Sequence, residues 1–547
     1  MKLGRIISLL ILLLPCLAAG QDIEKSVNDL SGDMELLSED DYLAVAEFCS
    51  SPLPLNSLSA AALAESGLFS AYQAASIIDY RSLHGDILSG TELGLLDGFN
   101  PYLASKLSPL LSFEPTSVRP SGMRVSSAGR LWYKDGGASW GYRSKIALAG
   151  GKEAGFAAKP SSYSFYAGFR IGRSRFVLGD FNLRFGQGLA LWNGMSFTGV
   201  STPLSLSKRA SALSGSTSYS GLSYRGAAWE YRRRKTITTT FACYNWQQKK
   251  YEAGVNVSRL LRHGQIGFTS IGRRGMVTAS VDGRFCFSGR DLFFEAALNT
   301  GTPVGYAVCA GTVFPLPAKG SRLAVMARCF SPHFDGADAA PVRSWSESSD
   351  ELGASVSFGR GDCCVSLDAA RKSVTGRRLL KLRAYDIFKM GKWKLKAYLQ
   401  YRWKNYGSDK YRSEVRLDFC RDAGLWQINT RINAVRSIKT GILSYSEVGY
   451  LPEEHSKLWL RATVFRADNW YDRLYSYERD APGNFLVPFY YGRGYSLSTY
   501  VVKKLTFNGR GRLGIYLRAA YNGFFRDSQR KKPGSLELRL SVTWTGF

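Results

Sequence analysis

The chain has 547 residues, 45% of them hydrophobic, and a formal net charge of +28. After the first residues no run of about 18 consecutive apolar residues occurs, which excludes a transmembrane helix. The nine cysteines include no CxxC pair or Cys/His cluster with metal spacing, which excludes a zinc-type site.

The charge is divided along the chain. Residues 21–115 hold three basic residues (Lys25, Arg81, Lys106) against fifteen acidic ones, a net of −12; residues 1–20 add +2, and residues 116–547 carry +38. Charge read by segment changes the inference about partners. The basic part is the candidate barrel, and the acidic part the one that stays in water.

Residues 1–20 read as a secretory signal. Lys2 and Arg5 form a positive start, Ile6 to Leu14 an apolar core too short to span a bilayer, and Ala18-Ala19-Gly20 a small-residue cleavage site before Gln21. Cys16 admits a lipoprotein reading, but Leu13-Leu14-Pro15-Cys16 lacks the usual small residue before the cysteine. Residues 21–53 form an acidic leader with one short helix, on the spacing of Leu36, Leu37, Tyr42, Leu43, Val45 and Ala46.

From Pro54 to residue 115 the pattern is a series of short helices. Asn56, Ser57 and Ser59 are capping candidates ahead of an alanine-rich helix that Gly67 ends. Ala71 to Ser82 is a second helix, Thr91-Glu92-Leu93 begins a third after Gly85, and Tyr102 to Leu111 is a fourth after the turn Gly98-Phe99-Asn100-Pro101.

The order Leu55-Asn56-Ser57-Leu58-Ser59, Ile77-Ile78-Asp79-Tyr80-Arg81, His84-Gly85, Thr91-Glu92-Leu93, Asp97-Gly98-Phe99 resembles a tandem helix-hairpin-helix domain of the ComEA type, over residues 54–112. It is similar to the N-terminal part of outer-membrane barrel proteins of Bacteroidetes-type bacteria. The resemblance implies phosphate or DNA contacts at two hairpins, Leu68-Phe69-Ser70 and Gly98-Phe99-Asn100, through backbone N–H groups. The first hairpin has neither glycine of the family's Gly-apolar-Gly pattern and the second has one. A net charge of −12 opposes a duplex, whose binding depends on Lys and Arg. The alternative is a protein-interaction module that kept the fold without the nucleic-acid surface.

Residues 116–547 alternate apolar and polar positions in segment after segment. In Trp393-Lys394-Leu395-Lys396-Ala397-Tyr398-Leu399-Gln400-Tyr401-Arg402-Trp403 the odd positions are apolar or aromatic and the even ones polar. A period of two places these sets on opposite faces of a strand. A long series of such strands is the signature of a transmembrane β-barrel, and at roughly 20 residues per strand and connection this region holds about 20–24 of them. The fold class is therefore mainly β: a large antiparallel transmembrane barrel preceded by a small all-α domain.

With the apolar faces toward lipid, Lys381, Arg383, Lys392, Lys394, Lys396, Arg402, Arg412, Arg416, Arg512 and Arg518 fall on the lumen face. A charge on the lipid face would cost about 2–4 kcal/mol at mid-membrane. Barrels near 22 strands need a plug, and an acidic domain beside a basic lumen suits that role. The segment Gly179 to Trp192 reads as a strand kinked at Gly186 and Gly188, or as a contact point for a plug. Gly186-Gln187-Gly188 is no nucleotide fingerprint, since the third glycine and the following helix are absent. Trp544-Thr545-Gly546-Phe547 resembles the C-terminal signal read by the barrel assembly machinery, and the late tyrosines, Tyr490, Tyr491, Tyr495 and Tyr500, suit an interfacial girdle.

No catalytic residues, metal site or cofactor are expected. The four histidines, His84, His263, His333 and His455, have no nucleophile at a recognisable spacing, and Asp180 has no visible partner. Two functions remain. One is an outer-membrane channel or transport component whose N-terminal domain plugs the barrel or docks a periplasmic protein, with a basic lumen that favours anionic cargo. The other is a DNA-binding or DNA-uptake receptor acting through the hairpins.

Overall fold

A computed structural model describes residues 39–116 and 122–546, apart from 195, 197–198, 200, 210–212, 219–223, 247–248, 274, 319, 454, 483, 508–510 and 526–533. The signal segment, most of the acidic leader and Phe547 lie outside the described residues.

Strands of 8 to 16 residues close into one antiparallel barrel of 24 strands. Each wall strand pairs with the next in sequence, and the last, Ser535–Gly546, pairs with the first, Met123–Lys134. Closure leaves no sheet edge unpaired. A three-residue strand, Leu213–Gly215, lies beside the wall on Phe181–Leu183 and is bypassed by the direct pairing of Ser174–Leu183 with Tyr224–Arg233.

The period-two pattern sorts the two faces as the sequence predicts. On strand Glu351–Arg360, Leu352 and Val356 point outward, while Glu351, Ser355 and Ser357 are buried inside. Val365 and Leu367, Val415, Ile432, Val464, Leu517 and Leu540 continue the outward apolar set on other strands. The inward set is polar and charged and is nonetheless buried, so the lumen is filled rather than open at these positions.

The two ends of the barrel differ. One end carries the first residue and the last of the wall and turns as short as 172–173, 262–263, 361–362 and 424–425. The other carries the long connections 184–223, 331–350 and 468–491. These do not stay outside: Leu189, Leu191 and Leu206, Phe334 and Val342, Leu474 and Tyr490 are all buried against lumen-facing wall residues.

The helical region is built from α1 (Glu39–Ser50), α2 (Ala60–Glu65), α3 (Ala71–His84), α4 (Gly90–Leu93) and α5 (Pro101–Leu107). Of the three capping candidates only Ser59 caps a helix, accepting from the Ala62 N–H. Asn56 instead bridges the region, giving its amide to the Ile87 carbonyl and taking the Ile87 N–H, both at 2.9 Å. Ser70, expected in a phosphate hairpin, is the N-cap of α3 in a capping box with Gln73. The fourth helix runs α-helical to Leu107 and as one 3-10 turn over Ser108–Leu110, one residue short of its expected end, and Leu111–Ser112 then pairs in parallel with Leu53–Pro54 and ties the region's two ends together. Leu55, Leu63, Leu68, Phe69, Ile77, Leu93 and Leu107 form its core.

Candidate functional site

The candidate functional region is the junction of three parts: the helical region, the lumen face of the wall, and the long connections folded into the lumen. The helical region lies against the short-turn end. The Tyr72 N–H donates to the Gln265 side chain at 3.2 Å, and the Tyr72 hydroxyl to the Arg262 carbonyl at 3.1 Å. Lys106 sits 3.7 Å from Asp362, and Lys145 pairs with Glu47 at 2.8 Å. The best-buried pairing is at Glu65, the last residue of α2. Its carboxylate meets Arg170 and, at 3.1 Å, Arg175, and Arg175 also holds Glu153.

From the lumen side the helical region meets the long connections. The Ser196 N–H donates to Asp41 at 2.5 Å. Tyr42 packs on Phe485, with ring centroids 5.1 Å apart, and on Tyr477. Burial pushes the Tyr42 hydroxyl up to about 12. Behind Asp41, Lys208 donates to Ser196 Oγ at 2.6 Å and lies over the Trp192 ring at 4.1 Å. Desolvation, opposed by Asp41, brings its ammonium down to about 7.

The glycine segment is the anchor of one long connection and not a kink within a strand. The wall strand ends at Leu183, and Arg184 bridges back to Trp192. Gly186 and Gly188 have φ of 56° and 82°, the left-handed region that favours glycine. This turn aims three backbone N–H groups at the Glu295 carboxylate: Gln187 at 2.7 Å, Leu189 at 2.9 Å and Ala190 at 3.2 Å. A Cβ on Gly186 would stand 2.7 Å from that carboxylate. Glu295 lies directly opposite Asp282 in the wall, a like-charge pairing that is costly unless one partner is otherwise satisfied. The N–H cluster, a small anion nest, satisfies Glu295. Asp180 also has a partner the sequence did not show: Arg225 grips it through Nε and Nη2, both at 2.8 Å.

Of the ten basic residues expected on the lumen face, at least four meet carboxylates. Arg416 pairs with Glu414 at 3.1 Å, Arg402 with Asp409 at 2.6 Å, and Arg518 with Glu478 and, at 3.7 Å, Glu537. Lys394 pairs with Asp422 at 2.8 Å and, with Lys396, lines a cavity of about 140 Å³ beside Asp418 and Glu447. Lys381 and Arg383 reach the long connections at the Ser344 carbonyl and the Ser201 hydroxyl, and Arg412 reaches the Tyr471 and Arg473 carbonyls. Arg512 is exposed near the short-turn end, and Lys392 is exposed in the turn after Gly391. Arg328, a fully enclosed cation, is not among the residues expected from the sequence. It holds Glu351 at 2.5 Å and Asp368 at 2.8 Å with all three side chains fully buried.

The two hairpins face each other and not the outside. Leu68, Phe69 and Ser70 are buried, Phe69 and Phe99 form an edge-to-face pair at 5.8 Å, and the Gln73 amide donates to the Gly98 carbonyl at 2.7 Å. Asn100 caps α5 through the Leu103 N–H at 2.9 Å. The first hairpin is closed by that packing, while Gly98, Phe99 and Asn100 also line a cavity against the wall.

Among the described residues no group of three His, Cys, Asp or Glu is placed to hold a metal ion. His263 lies against Phe287 and His84 against Tyr80.

No family model matches the chain, and no curated protein matches it. Among solved structures it is similar to the translocation pore of the P pilus usher PapC, at 8% identity and a TM-score of 0.40, over 78% of this chain and 99% of that one. It is also similar to OccK2 (OpdF) of Pseudomonas aeruginosa solved with glucuronate, at 12% identity and a TM-score of 0.34, over 78% of this chain and 97% of that one. A third is OpdK of the same organism solved with vanillate, at 10% identity and a TM-score of 0.33, over 77% and 98%. At such scores the barrel assignment rests on the strand pairing itself.

Proposed function

We propose that the protein is an outer-membrane channel or transport component of a double-membraned bacterium, with its helical region as a plug in the periplasmic mouth. The observation that carries the reading is the helical region's attachment to the short-turn end by Tyr72, Lys106 and Glu65, while Asp41 and Tyr42 engage connections from the opposite end.

The membrane part rests on the wall. An even-numbered antiparallel barrel with short turns at the terminal end matches outer-membrane architecture. Outward Val, Leu, Ile and Phe on strand after strand make a patch far larger than a soluble surface carries, and lipid is the partner that covers it. The charge split gives the plug its hold, an acidic insert in a basic wall. Partners on this reading are outer-membrane lipid, the barrel assembly machinery, and a periplasmic protein that engages the helical region to release it.

Planar-bilayer conductance tests it. The full chain should be closed or of low conductance, and a chain lacking residues 21–115 should show large, frequent openings. Equal conductance of the two would defeat the plug reading.

A further inference from the structure

The cavity between the α4–α5 pair and the barrel wall has a charge that the fold leaves unbalanced. Its volume is about 320 Å³, and it lies where residues 94–101 face the connection at 203–209 and four wall strands. Arg209, Arg284 and Arg322 line it, and each is only 8% exposed. Asp291 is the one buried-side carboxylate among the lining residues, and Arg284 takes it through Nε at 3.0 Å and through Nη2. Arg322 gives one N–H to the Gly289 carbonyl at 2.6 Å and has no carboxylate partner among the described residues. Arg209 has neither a hydrogen bond nor an ion pair among the described residues. Burial and the neighbouring Arg284 bring its guanidinium down to about 10. At the rim, Arg290 and Asp97 cancel. The lining therefore nets two positive charges.

Buried guanidiniums without counter-charge are costly, and a planar five-donor fork matches the oxygens of phosphate and carboxylate. Arg284 and Arg322 project to the lumen side, opposite the outward Leu292 and Val325, so the source of an anion is the aqueous phase and not the lipid headgroups. We propose that this cavity binds a small doubly charged oxyanion, a phosphate monoester or a dicarboxylate, at the joint between the helical region and the wall. The anion completes the charge balance of the three arginines and bridges the two parts.

The test is calorimetric titration of the full chain in detergent micelles with inorganic phosphate and, separately, with malonate. Saturable binding at one site per chain is expected for at least one anion, weakening as chloride is raised; which one saturates identifies the chemistry. Arg209→Gln and Arg322→Gln should each weaken it at least tenfold, the loss expected for one charge-assisted contact, with the heat-modified gel shift of the folded barrel unchanged. Failure of both anions to saturate would overturn the proposal. So would wild-type affinity in a variant that keeps the gel shift.

Discussion

On the proposed plug reading, the Glu65 contact sets how strongly the helical region is held, and its removal has a calculable effect. Glu65→Gln leaves the wall intact, because Arg175 keeps Glu153 at 2.5 Å and the Leu213 carbonyl at 2.5 Å. The Arg175 side chain is 5% exposed, Glu65 17% and Arg170 23%. The charge-assisted hydrogen bond from Arg170 is worth about 1.5–3 kcal/mol before solvent screening, and the ion pair with Arg175, whose N–H groups donate elsewhere, adds less than about 1 kcal/mol. The sum is about 2–3 kcal/mol, which raises the ratio of undocked to docked plug by about 30- to 150-fold at 1.4 kcal/mol per decade. Glu47→Gln is the internal comparison. Its pairing with Lys145 is 52% and 34% exposed, so it changes the ratio by less than about fivefold. Open probability in single-channel recordings measures both. Equal effects of the two substitutions, or no effect of Glu65→Gln where deletion of residues 21–115 opens the pore, would refute the argument.

Three further outcomes follow from buried contacts. Lys208 titrates near 7 in the folded chain and near 10.4 when unfolded, so the unfolded state binds more protons between those values and stability rises with pH across that window. The unfolding free energy in urea of the parent, less that of Lys208→Met, should grow by roughly 3 kcal/mol from pH 7 to 9.5, and parallel curves would exclude the buried ammonium. Gly186→Ala forces a side chain into the Glu295 carboxylate at a φ of 56°, a strain of about 1–3 kcal/mol; faster proteolysis within 184–223 is expected, and unchanged resistance would count against the N–H nest as the anchor. Arg328→Met strands Glu351 and Asp368 without their cation; a loss of about 3–5 kcal/mol in the urea midpoint analysis is expected, and an unshifted midpoint would contradict the burial.

The barrel was legible in the sequence because a strand's two faces are written at alternate residues. Trp393, Leu399 and Val415 point outward and Tyr398 and Arg416 inward, as their parity alone requires. The helix starts were legible in part for a similar local reason: Ser59, one of three capping candidates, caps a helix, and Gly98 turns, through groups within three residues of one another. What local pattern could not supply was pairing across the lumen. Arg328 meets Glu351 and Asp368 from different strands, Asp180 meets Arg225 across 45 residues, and Glu295 is held by N–H groups more than 100 residues upstream. Alternation states that a charge faces inward, and only the closed wall and the inward connections state which charge it meets. A wall counted as basic from one chain segment at a time is, once folded, still basic, with part of its inward charge met by carboxylates from other strands. The same holds for the hairpins: their sequence sets the turns, and the packing of Phe69 on Phe99 against the barrel mouth decides that the turns face protein.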